Sequence, residues 1–251
     1  MISTTLLLAA LASSIRGAPV VQPTIQGITY GSAEPAPLLS QWLPPSASYS
    51  TGPYKQAIYL SFDGMHQFDL TKYIAEYPNS TFAEVVKTAV VYSNARTSSP
   101  SDSLPATASI FTGAYPRDNG IFWETVWDRS LYAGGSNCEG SPGALCDFSE
   151  DDDLDNTMLD GGGAFNLSVL PMQKTSWGSC EVVYPHNFLR TNTIFEVGRG
   201  NGLVTAYADK HPSYEFLNGP SGVGLSQGYF PEIASINGTL KAQEAWDNLH
   251  C

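Results

Sequence analysis

Residues 56–64 read Gln-Ala-Ile-Tyr-Leu-Ser-Phe-Asp-Gly (QAIYLSFDG). Gln56 to Phe62 is a short, nearly continuous apolar run with a β-branched residue and two aromatics, the composition of a strand buried on both faces of a parallel sheet. It stops at Asp63-Gly64, a common turn pair. Working outward, Thr81 to Thr88 (TFAEVVKT) has the pattern of a helix, with Asn79 to Thr81 as capping candidates. Ala89 to Tyr92 (AVVY) reads as a second strand. A loop over Asn94 to Asp102 leads to a helix that starts near Ser103 and ends at Gly113. Later, a helix over Thr193 to Val197 precedes a third strand, Leu203 to Tyr207 (LVTAY). Strands alternating with helices predict an α/β fold with a mostly parallel sheet flanked by helices.

The chain has 251 residues, enough for one large domain with its own core. Hydrophobic residues make up 42% and charged residues 14%, which places it among globular chains rather than disordered ones. Twelve basic residues face 24 acidic ones, a net charge of -12. Such a surface repels a phosphate backbone, so nucleic-acid binding through basic patches is excluded. A metal ion would supply positive charge locally, which leaves a metalloenzyme acting on phosphate esters open.

Residues 1–17 contain a short apolar core, Leu6 to Leu11, followed by small residues and a cleavage point before Ala18. This reads as a signal peptide, although its first residues lack Lys and Arg; a buried N-terminal helix is the alternative. Residues 18–55 form a Pro- and Ser-rich arm without sustained period, and residues 56–251 carry the domain. No later stretch has the length and apolarity of a transmembrane helix. Asn79, Asn166 and Asn237 each begin an Asn-x-Ser/Thr acceptor. With a signal peptide these predict a secreted, extracellular glycoprotein. Four cysteines occur, Cys138, Cys146, Cys180 and Cys251. An even count in an exported chain predicts disulfides, and the absence of a CxxC spacing argues against structural zinc. Cys138 with Cys180 is the expected bridge, tying the irregular middle onto the sheet, with Cys146 as the alternative partner of Cys138.

That middle, roughly 132–185, holds an acidic run, Glu150 to Asp155, and then Gly161 to Gly163. Asp151, Asp153 and Asp155 alternate as in a calcium-binding EF-hand loop. Position six is Asn156 instead of Gly and position twelve is Gly162 instead of Glu, so that reading fails. The run is expected to be a solvated surface insertion.

Two positions carry chemistry. Asp63 lies at the carboxyl end of a predicted strand, the edge where open α/β sheets build ligand sites. There it either caps a turn or binds a metal. Ser103 begins a predicted helix with Pro105 in its first turn. It either caps that helix or faces its positive end as a nucleophile. A nucleophile-elbow serine hydrolase is excluded, because Gly219 to Gly224 lacks the Gly-x-Ser-x-Gly spacing.

Taken together, Ser61-Phe62-Asp63-Gly64, Asp102-Ser103-Leu104-Pro105 and Phe111-Thr112-Gly113-Ala114-Tyr115-Pro116-Arg117-Asp118-Asn119-Gly120-Ile121 resemble the type I phosphodiesterase/nucleotide pyrophosphatase branch of the alkaline phosphatase superfamily. Trp127-Asp128-Arg129-Ser130-Leu131, Tyr184 to Arg190 and Ala208-Asp209-Lys210-His211-Pro212 extend the resemblance, which is to a fungal-like subgroup, from about residue 56 onward.

The resemblance implies hydrolysis of phosphodiester or pyrophosphate bonds in a small nucleotide or similar substrate. Asp63 would be a zinc ligand, and Ser103 both nucleophile and metal contact. Two zinc ions would clamp the attacking and leaving oxygens. The remaining Asp and His ligands would come from the second half of the family's domain, so the chain is expected to carry the N-terminal half alone. Asp209 and His211, on the same edge as Asp63, are candidate substrate-binding residues, with metal binding or a plain polar loop as alternatives; Asn187, beside His186, is a further pocket candidate. Asp247 and His250 read as the solvated face of a helix over Lys241 to Leu249.

The sequence also departs from the family pattern. Ala106 stands where an Asn commonly holds a phosphate oxygen, and Thr107 stands where sulfatases carry Arg. Two other functions stand as alternatives, the first favoured by Ala106 and by the ligands expected from the second half of the domain. One is a non-catalytic secreted glycoprotein retaining half the fold. The other is a phosphate monoester or phosphonate hydrolase of the same superfamily.

Overall fold

The structure, a computed structural model, describes residues 56–92, 94–148, 152–155, 164–210 and 212–230. The signal peptide, the arm, Asn237, His211, Asp247, His250 and Cys251 lie outside these residues.

Helix α1 spans Gln67–Glu76; Asp69 Oδ2 accepts from the His66 backbone N–H at 2.8 Å and closes its first turn, and none of its residues is buried. Helix α2, Thr81–Thr88, is capped by Ser80, whose hydroxyl accepts from the Ala83 N–H. Glu84 in its first turn and Lys87 in its last complement the helix dipole. Helix α3, Ser103–Thr112, is capped by Asp102 and ends at Gly113, whose φ of 68° is left-handed. Leu104, Ala108 and Phe111 recur at helical spacing and bury one face of it. Helix α4, Pro116–Asn119, opens on a proline and stops at Gly120. Gly120 has φ 90°, and a Cβ there would stand 2.9 Å from the Phe188 carbonyl oxygen, so glycine is required twice over. Helix α5, Ile194–Gly200, is capped by the Thr193 hydroxyl, which accepts from the Glu196 N–H.

Strands β1, Thr125–Asp128, and β2, Ala144–Asp147, pair antiparallel. Strands β3, Met172–Lys174, and β4, Cys180–Val182, form a second antiparallel pair. Strands β5, Ala206–Ala208, and β6, Gln227–Tyr229, pair in parallel. Helices with small sheets are compatible with an alkaline phosphatase-like α/β fold. The predicted large, mostly parallel sheet is not present among the described residues. Residues 56–62 and the described residues of the Ala89 to Tyr92 run are not strands. Apolar composition makes such a segment able to enter a sheet, but a ladder also needs a neighbour about 4.8 Å away. Val90 is 74% exposed, and Ile58 and Leu60 are about half exposed. The third predicted strand is confined to β5, where Gln227–Tyr229 supplies the ladder.

The middle segment folds onto the core. Cys138 and Cys180 are joined by a disulfide, with Cα atoms 5.7 Å apart, which ties β4 to the loop between β1 and β2. Cys146 is a buried free thiol. The acidic run is not simply solvated: Asp152 and Asp153 are 3% and 4% exposed. Asp152 Oδ2 accepts from the Ser213 hydroxyl at 2.8 Å, a link between the insertion and the interior that composition does not reveal. Asn79 is exposed in the turn before α2. Asn166 lies in a turn where its Oδ1 accepts from the backbone N–H and hydroxyl of Ser168.

Two packed groups make the core. One centres on Leu104, Ala108 and Phe111 of α3 with Ile121, Leu189 and Phe216; the other holds Leu131, Ala144, Cys146 and Val183. Trp123 and Phe188 pack against both. Burying Leu104 completely stabilises the fold by about 1.5–3 kcal/mol.

Candidate active site

Phe111 gathers three segments that are distant in sequence. Its ring meets Tyr59 edge-on at 5.2 Å and Tyr207 at 5.4 Å, and tilts against Phe195 at 4.9 Å. Tyr59 belongs to the run that ends at Asp63, Phe111 to the helix that begins at Ser103, and Tyr207 to β5, which leads into Asp209 and Lys210. Packing on one ring therefore brings the ends of the three segments together.

They meet at one oxygen. Ser103 Oγ donates to Asp63 Oδ2 at 3.0 Å, and Lys210 Nζ donates to the same atom at 3.0 Å. The Asp63 side chain is 57% exposed and that of Lys210 31%. The lysine hydrogen bond holds the Asp63 carboxyl below its ordinary range, against partial burial, with help from the Ser103 hydroxyl, the lysine charge and the Gly64 backbone.

Ser103 is free for this role because it does not cap its own helix. Asp102 Oδ1 accepts from the Ser103 N–H at 2.9 Å, so the cap is carboxylate and the hydroxyl points to Asp63. Glu124 lies nearby; burial, and secondly the charge of Asp102, raise its carboxyl above the usual range.

Asp63, Ser103, Thr107, Tyr207, Asp209 and Lys210 are among the residues lining a pocket of about 280 Å³. Asp209 is fixed from two sides: the Tyr207 hydroxyl donates to its Oδ2 and the Lys210 N–H to its Oδ1 at 2.8 Å. Burial, and then the Asp209 charge, raise the Tyr207 hydroxyl far above its ordinary pKa, so it remains a donor. Ala106 presents a buried methyl to the pocket wall.

The other pocket candidates stand elsewhere. Asn187 Oδ1 accepts from the Tyr184 N–H at 2.8 Å and closes the short 3-10 helix Pro185–Phe188; it does not line this pocket. His186 is buried, its Nδ1 2.9 Å from both carboxylate oxygens of Glu215. Lys210 was not singled out from sequence. The available signal was its place in Asp209-Lys210-His211 after a predicted strand, on the edge that also carries Asp63.

Asp63 and Ser103 suit a metal. Tetrahedral zinc with oxygen ligands at about 2.0–2.2 Å has ligand–ligand edges of roughly 3.3 Å, close to the separation of these two oxygens. A cation, the Lys210 ammonium, already rests against Asp63. The pair therefore fits as two donors of a metal site. Among the described residues, no group of three or more His, Cys, Asp or Glu side chains gathers to complete one.

Residues 57–159 match the family model described as type I phosphodiesterase / nucleotide pyrophosphatase. No curated protein and no solved structure matches the chain. No helix among the described residues is long and apolar enough to cross a membrane. The matched stretch includes Asp63 and Ser103, while Lys210 lies beyond it. Residues 57–159, and with them the Asp63–Ser103 pair, belong to the type I phosphodiesterase / nucleotide pyrophosphatase family of the alkaline phosphatase superfamily.

Proposed function

We propose that this protein hydrolyses phosphodiester or pyrophosphate bonds of small nucleotide-like substrates, with Ser103 as nucleophile and Asp63 and Ser103 as ligands in a two-zinc site. The observation that carries this reading is the Ser103 hydroxyl, spared from capping, held 3.0 Å from Asp63 at the mouth of a helix that faces a pocket. Zinc, when bound, supplies positive charge at the phosphoryl oxygens and favours ionisation of the hydroxyl. Asp63 Oδ2 holds the Ser103 O–H and turns a lone pair of Oγ toward the pocket. Oγ then gives up its proton to solvent and forms a bond to phosphorus, while the bond from phosphorus to the leaving oxygen breaks and that oxygen departs with its electron pair. The resulting phosphoryl-serine is hydrolysed by water, which restores the hydroxyl. The positive end of α3 favours the charge that gathers on the phosphoryl oxygens. Asp209 holds the backbone of Lys210 at the pocket wall.

The test is turnover of bis(p-nitrophenyl) phosphate by the full chain supplied with zinc. Ser103→Ala is expected to lower it by at least about 10³-fold, and a chelator to abolish it. Unchanged turnover in Ser103→Ala sinks the assignment. The Ala106 methyl, where the family commonly has an amide, favours a second reading: a non-catalytic glycoprotein keeping this half of the fold. That reading is supported if the chain takes up no zinc and turns over no diester. Relative rates on mono- and diesters separate a monoesterase or phosphonate hydrolase from the leading reading. The exposed Asn79, the disulfide and the N-terminal apolar segment support export to the cell exterior.

A further inference from the structure

The Asp63 oxygen that would meet a metal already has two partners. Oδ2 accepts from Ser103 Oγ and from Lys210 Nζ, each at 3.0 Å. Asp63 and Lys210 are 147 residues apart, so their meeting is made by tertiary packing. The backbone of Lys210 is anchored, because its N–H donates to Asp209 Oδ1 and Asp209 in turn accepts from the buried Tyr207 hydroxyl. The ammonium is not anchored in the same way. It ends a flexible four-carbon stem, and the side chain is 31% exposed.

A divalent ion bound at Oδ2 would sit about 2.0–2.2 Å from that oxygen. The ammonium at 3.0 Å would then share one carboxylate oxygen with a doubly charged neighbour, at a separation where like charges repel strongly. The two cations therefore compete for this oxygen. We propose that Lys210 is a resident counter-ion that a divalent metal must displace from Asp63, so that the lysine sets the metal affinity of the site. This rests on the reading of Asp63 as a metal ligand. Without metal, the lysine neutralises Asp63 and holds the carboxylate turned toward Ser103. Once displaced, the ammonium swings on its anchored backbone within the same pocket.

Zinc chloride titrated calorimetrically into the full chain tests this. Removal of a partly exposed ion pair predicts binding at least about fivefold tighter in Lys210→Gln than in wild type. Lys210→Met, which keeps the apolar stem, is expected to show the same gain, and Lys210→Arg, which keeps a cation, wild-type affinity. The gain should vanish when Asp63→Asn is combined with Lys210→Gln. Circular dichroism establishes that each variant is folded. Equal or weaker zinc binding by both neutral variants overturns the proposal, as does a gain that survives Asp63→Asn or a lack of zinc uptake by every variant. Turnover separates this from the catalytic reading. If Ser103→Ala leaves diester turnover intact while Lys210→Gln tightens zinc, only the nucleophile assignment falls. If Ser103→Ala abolishes turnover while Lys210→Gln binds zinc as wild type does, only the lysine proposal falls.

Discussion

The hydroxyl of Ser103 donates a hydrogen bond of 3.0 Å to Oδ2 of Asp63, forty residues earlier in the chain. Capping and the contact with Asp63 are thereby divided between neighbours, since Asp102 closes the helix that Ser103 begins.

That division predicts opposite effects of adjacent substitutions. Asp102→Ala should lower stability by about 1 kcal/mol, and Asp102→Asn, which keeps a capping oxygen, should recover most of it. Ser103→Ala should change stability by no more than about 0.5 kcal/mol while removing diester turnover. Urea unfolding of the three variants checks this. A larger stability loss in Ser103→Ala than in Asp102→Ala would show that the serine is the cap.

The His186–Glu215 pair predicts a pH dependence. Burial opposes charge on His186, but the charge and hydrogen bonds of Glu215, with a contribution from Glu196, outweigh it and raise the imidazole pKa above its ordinary value. A raised folded pKa makes this contribution fully present below about pH 6.5, the ordinary histidine value, and lost as pH rises through the folded value. His186→Gln should flatten that part of the stability profile. It should also cost about 3–5 kcal/mol at acidic pH, because Glu215 is fully buried and loses its cationic partner. Denaturant unfolding across neutral pH measures both, and identical pH profiles for the two proteins would refute the pairing.

The Cys138–Cys180 bridge closes a loop of 42 residues of separation. Chain entropy assigns such a loop about 4 kcal/mol. Cys146 is buried, and that burial, with the Asp128 charge second, pushes its thiol up to about 12. Iodoacetamide at pH 8 should therefore leave Cys146 unlabelled in the native chain and label it after unfolding without reductant. Peptide mapping without reductant should recover Cys138 linked to Cys180. Native labelling of Cys146, or its appearance in a bridge, would contradict this.

Phe111 is the shared support of the pocket. Phe111→Ala should cost about 3–5 kcal/mol. It should also reduce diester turnover more than an equally destabilising core substitution away from the Tyr59 and Tyr207 rings, such as Leu131→Ala. Equal losses in the two variants would remove the special role of the ring.

Much of the local structure was legible in the sequence. Residues 81–88 and 103–112 announce helices because their capping residues and apolar spacing are local, and Gly113 marks a stop that only a left-handed residue makes easily. Asp63 and Ser103 were identifiable because residue type and position beside predicted element ends limit what they can do. Pairing was not legible. Residues 56–62 have a strand's composition and no ladder among the described residues, and Asp152 and Asp153 lie in a run that looks solvated yet are buried.

The sequence by itself determined the helices over 81–88 and 103–112, the start of the helix at 194, the acidic balance and the family of residues 57–159, because capping, spacing and residue chemistry act over a few residues at a time; the helix Gln67–Glu76 was not read from it. Only the tertiary structure decided that Ser103 and Lys210 share one oxygen of Asp63 and that His186 serves Glu215 instead of the pocket. Those contacts depend on how Tyr59, Phe111 and Tyr207 pack and on which carboxylates the core encloses. Packing and burial join residues far apart in the chain, and no local pattern records that distance.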